Sequence, residues 1–199
     1  MDMLADLWLP ILLCGIALFF ASFLAWAILP THKPEWKKLP NEDEVRRMIE
    51  QQNIAPGQYL FPYCDDPKEM KDPEKKAKYA TGCQGMMTIF PGPPNMGAKM
   101  AQTVIYFLVV SFVIAYVAGE TIAPGASFLH VFQIVGTIGV LAHASGQVLH
   151  EIWFTPPLRA RITCFIDGVA YGLITGAIFA WLWPAAPAAV NAAVPALGG

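Results

Sequence analysis

Residues 162–183 read ITCFIDGVAYGLITGAIFAWLW, a run of 22 positions with one charge, Asp167. A helix of that length spans the hydrocarbon layer of a bilayer. Three more runs have the same character: Leu7–Leu29, Gln102–Gly119 and Phe128–Leu149. Of the 28 charged residues, 21 fall between Thr31 and Met100, so the four runs are almost free of charge. The fold class expected is an all-α membrane protein with four transmembrane helices. An extramembrane insertion of about 70 residues lies between the first and second. The chain divides into a first helix (residues 1–30), a cytoplasmic insertion of short helices and loops (31–100), helices two to four (101–184) and an Ala/Pro-rich tail (185–199). Prolines interrupt the tail too often for it to span.

The first run reads as a retained anchor. It is longer than a signal-peptide core, Asp2 and Asp6 lead it instead of basic residues, and no small-residue cleavage site follows. Basic residues adjoin only some helix ends: His32-Lys33 and Lys37-Lys38 follow the first, Lys99 precedes the second, and Arg159 and Arg161 precede the fourth. The opposite ends carry none. The positive-inside rule therefore predicts a multi-pass membrane protein with both termini outside and the insertion and the Glu151–Arg161 turn in the cytoplasm. Trp8, Trp26, Trp153, Trp181 and Trp183 sit at segment ends, as a belt at the headgroups requires. A net charge of −2 with no basic cluster argues against nucleic acid as a partner.

Within the insertion, Asn41 with Glu44 predicts a capped helix reaching about Gln52. Asp72-Pro73 predicts a second helix, which Gly82 stops. The apolar runs Gln58–Tyr63 and Gly85–Phe90 either pair as a hairpin around that helix or lie on the membrane face. Pro62 limits the first as a strand. Asn95 is suited to cap the second membrane helix.

Two membrane segments carry the candidate site. On the third, Gln133, Gly136, Gly139, His143, Gly146, Gln147 and His150 fall within an arc of roughly 140°, which is expected to face the bundle interior. His143 and His150 are the candidate cofactor ligands. A membrane haem commonly takes a second axial ligand from a facing helix, and no other membrane segment holds a histidine, so no cofactor is expected and haem is kept as an alternative. On the fourth, Gly168, Gly172 and Gly176 recur every four residues, a spacing for close helix packing. Cys164, Asp167, Tyr171 and Thr175 share the neighbouring arc. His143 lies about 10 Å back from the end of its helix and Asp167 about 9 Å into the next. The expectation is a buried polar cluster of His143, Gln147, Asp167 and Tyr171, with a direct His143–Asp167 contact. No metal motif appears among Cys14, Cys64, Cys83 and Cys164, and no nucleotide-binding or hydrolase signature occurs.

The segment Phe90–Pro184 is similar to a group of uncharacterised bacterial four-helix inner-membrane proteins. The likeness lies in PGPPNMG at 91–97, APGA at 123–126, IDG at 166–168 and WLWP at 181–184. It implies an architecture and carries no functional residues. The function expected is a non-enzymatic accessory or assembly subunit of a larger membrane complex, respiratory or photosynthetic, whose partners are the bilayer and other integral membrane subunits. Two alternatives remain. One is a small oligomeric transporter or proton-conducting protein using His143, Gln147 and Asp167; the other is a haem- or metal-binding redox protein.

Overall fold

The computed structural model describes residues 2–187, so most of the Ala/Pro-rich tail lies outside the described residues. The chain forms two units: one takes in the residues up to Trp36 and from Gly97 onward, the other Lys37–Met96. In the first unit α1 is Asp2–Asp6, and α2 (Trp8–Phe23) continues through a π-helical turn, Leu24–Ile28. The second unit holds α3 (Glu42–Gln51), β1 (Gly57–Phe61), α4 (Pro73–Ala80) and β2 (Gly85–Ile89). Then follow α5 (Met96–Thr121), α6 (Phe128–Ala144), α7 (Val148–Phe154) and α8 (Leu158–Trp181).

Four spans are long and apolar enough to cross a membrane: Trp8–Ile28, Met96–Thr121, Phe128–Phe154 and Leu158–Trp181. The second starts six residues earlier than the apolar run predicts, directly after Asn95. The third is not one continuous helix. It bends at Ser145–Gln147, where Gly146 favours the helix weakly and the Ser145 hydroxyl turns back to the Leu141 carbonyl.

Small residues seat α8 on α6. A Cβ added at Gly172 would lie 2.6 Å from Val140 Cα, at Gly168 2.6 Å from Ala144 Cα, and at Gly176 2.8 Å from Gly136 Cα. Backbones this close gain dispersion contacts that larger side chains would forbid. Leu7 and Cys14 of the first span, Ile114 and Ala118 of α5, Val131 and Val135 of α6 and Phe179 of α8 form the buried core. Cys14, Ser111 and Thr175 bring three small polar side chains from three helices into that core, and the Thr175 hydroxyl donates to the Tyr171 carbonyl at 2.8 Å.

The bundle end near α1 is tied by the α5–α6 turn. Trp183 Nε1 donates to the Ala123 carbonyl at 3.0 Å, and Gly125 N donates to the Pro184 carbonyl at 2.8 Å. Gly125 has φ +78°, and a Cβ there would lie 2.7 Å from that of Ala186, so both backbone and space require glycine.

In the second unit β1 and β2 pair antiparallel with Tyr59 opposite Met87, and β1 ends just before Pro62. Asp72 caps α4, its carboxylate accepting from Glu74 N at 2.9 Å, and Gly82 with φ +83° follows the helix. Asn41 departs from the expected cap of α3. It takes a left-handed φ of 52° and its side chain makes no capping bond; its carbonyl accepts from Glu44 N at 2.9 Å instead.

Candidate functional site

The site begins where the first span stops. Pro30 ends the helix of the first span, its π-helical turn re-aims the chain, and a short 3-10 turn, Lys33–Glu35, follows. Thr31 Oγ1 donates to the Ala25 carbonyl at 3.0 Å, folding the following residues back toward α8. His32 enters there and is only 2% exposed. Its Nδ1 lies 2.9 Å from Glu35 Oε2 and its Nε2 2.9 Å from Asp167 Oδ2, so a doubly protonated ring donates to both carboxylates. The Trp26 indole stacks on the imidazole at 3.8 Å and 6°. Thr163 donates to the other oxygen of Glu35, and Arg159 Nη2 donates to the Thr31 carbonyl at 3.2 Å. These bonds latch the end of the first span to the start of α8.

Burial alone would lower the pKa of His32, but the hydrogen bonds and charges of Glu35 and Asp167 outweigh it and raise the pKa above its ordinary value. Burial pushes Glu35 upward. The hydrogen bonds from Thr163 and His32, with the charges of His32 and Arg159, reverse that and hold its carboxyl below the usual range. Each shift favours the ionic form of the latch.

Beside the latch is a cavity of about 160 Å³. Trp26, Tyr106, Phe107, Phe165 and Tyr171 supply aromatic lining; His143, Gln147, Glu151, Cys164 and Asp167 supply polar lining. His143 sits among rings, with centroids 5.9 Å from Phe107, 6.0 Å from Tyr171 and 6.4 Å from Tyr106. Its Nε2 is buried and has no hydrogen-bond partner among the described residues.

Four residues from the sequence reading, His143, Gln147, Asp167 and Tyr171, thus surround one cavity. The direct His143–Asp167 contact does not form: Asp167 takes His32, and His143 Nε2 has no partner among the described residues. His150 stands apart. The bend at Ser145–Gln147 rotates α7, leaving His150 exposed with its ring 4.7 Å from Phe154, outside the cavity lining. For the same reason Gly146 and Gln147 are exposed, while Gly136 and Gly139 face α8. Trp26 belongs to the latch and cavity as well as to the segment end. Among the described residues, no group of three or more His, Cys, Asp or Glu side chains is arranged to hold a metal ion.

Sequence reasoning counted His32 only among the basic residues flanking the first span and missed its place in the site, along with Glu35 and Thr163. The His32–Glu35 spacing of three around Pro34 is a local signal for a paired turn. The contact with Asp167 spans 135 residues and has no local signature. Comparisons with family models, with curated proteins and with solved structures find no match to this chain.

Proposed function

We propose that the chain is a non-enzymatic accessory or assembly subunit of a larger complex in a bacterial inner membrane, respiratory or photosynthetic. Residues 31–100 lie in the cytoplasm and both termini outside. The carrying observation is Gln133, exposed on α6 about 7.5 Å past the helix start, whose side-chain amide makes no hydrogen bond among the described residues. An amide turned to hydrocarbon without a partner costs roughly 2–7 kcal/mol. Thr137, one turn on, is satisfied internally by the Gln133 carbonyl at 2.6 Å. Gln133, Gly136, Thr137 and Leu173 line an open groove between α6 and α8. A transmembrane helix of a neighbouring subunit, offering a polar group to Gln133, resolves that cost.

Purification of the tagged chain in mild detergent tests the reading. Other membrane subunits are expected to co-elute, and Gln133→Leu should release them while the protein stays monodisperse. A sole homo-oligomer in the wild type would instead favour the second reading, a small transporter or proton-conducting protein. The observation favouring that reading is the cavity with His143, Gln147 and Asp167 on its wall.

A further inference from the structure

We infer that the cavity beside the His32 latch is a binding site for an organic ammonium ion, quaternary or protonated, with an apolar body of about seven heavy atoms. The inference stands apart from the subunit reading, since it rests on the cavity and not on the Gln133 face.

Three observations carry it. The first is charge. Glu151 and Asp167 both line the cavity, and among the described residues no lysine or arginine does. Glu151 is half-buried and makes no side-chain hydrogen bond or ion pair among the described residues. Asp167 spends Oδ2 on His32, while Oδ1 has no hydrogen bond among the described residues and 19% of the side chain stays exposed. A carboxylate sheltered from water and lacking a partner attracts a cation more strongly than one in solvent.

The second observation is the wall. Tyr106, Phe107 and Tyr171 bring π-systems to the space the carboxylates border. Ring faces attract a positive charge, and they do so most strongly for a weakly hydrated one such as an alkylammonium. A metal ion or a hydrated sodium ion gains little from such walls. The third is size. At about 160 Å³ the cavity matches one that holds benzene, so it admits a trimethylammonium group and a short arm.

Calorimetric titration of the full chain in zwitterionic lipid nanodiscs, corrected with empty discs, tests this. The probes are choline chloride and its neutral isostere 3,3-dimethylbutan-1-ol. Choline should bind saturably and at least about tenfold more tightly than the alcohol. Glu151→Gln and Tyr106→Leu change partly exposed side chains, so the fold should survive; each should weaken choline binding by about three- to thirtyfold. Glu42→Gln in the second unit should leave binding unchanged. Equal affinity for the alcohol would reduce the site to an apolar void and overturn the inference. So would choline binding indifferent to Glu151→Gln and Tyr106→Leu, or no saturation up to roughly 10 mM.

Discussion

His32 shows how one residue outside a membrane segment fixes another inside it. Asp167 alone in the apolar layer would cost roughly 2.5–3.5 kcal/mol on insertion scales. His32 offsets that cost, and Glu35, Thr163 and Arg159 hold the ring and its loop in place. Losing His32 leaves two partly buried carboxylates without their shared donor, so His32→Leu should destabilise by about 1–3 kcal/mol, read as a lower unfolding temperature in detergent. Asp167→Asn should cost less than Asp167→Leu, because an amide still accepts from the imidazole. The pH dependence follows from the two shifts. The raised His32 pKa contributes stability that is complete below its ordinary 6.5 and is lost as pH rises through the folded-state value. The lowered Glu35 pKa contributes stability present above its ordinary 4.5 and lost as pH falls through the folded-state value. The latch should therefore be firmest between about pH 4.5 and 6.5. Unfolding temperatures from about pH 6 to pH 9 should fall for the wild type and stay flatter for His32→Leu. Parallel slopes would remove His32 from the account.

At the scale of elements, the α6–α8 pair is the tightest joint in the bundle. Gly172 faces Val140 and Gly168 faces Ala144 at distances that leave no room for a methyl group. Gly172→Ala should therefore destabilise by about 1–3 kcal/mol through overpacking, despite the better helix propensity of alanine. Leu173→Ala, on a half-exposed side chain, should be mild. The yield of monodisperse protein in detergent checks both, and equal tolerance would argue against a close-packed joint. The glycine spacing of α8 is legible because period four maps directly onto one helix face. Which helix fills that face is not, since Gly136, Gly139 and Ala144 are chosen by a partner that the α8 sequence does not mention. The break in the third span was also hidden. Hydropathy averages over a window, and a bend of three residues at Ser145–Gln147 barely alters the average while it carries His150 away from His143.

For the whole molecule, the latch joins the end of the first span to the start of the fourth, which puts those two ends on one side of any bilayer the spans cross. The proposed topology makes that side the cytoplasmic one. With that side in the cytoplasm, the exposed Cys83 should resist a membrane-impermeant thiol reagent in intact cells, and Lys75→Cys should resist it too. Asn191→Cys in a background with the native cysteines replaced by serine should be labelled. The reverse pattern would invert the topology. The sequence by itself determined the four apolar spans, the glycine face of α8 and the polar residues that need shelter, because length, period and charge are local properties of a chain in a bilayer. It also placed His143 and Asp167 at one depth, since rise per residue converts sequence into height. Only the tertiary structure decided that Asp167 pairs with His32 and that His143 borders a cavity. Height along a helix says nothing about which neighbour stands across from it, and the rotation of each helix is set by packing against the others.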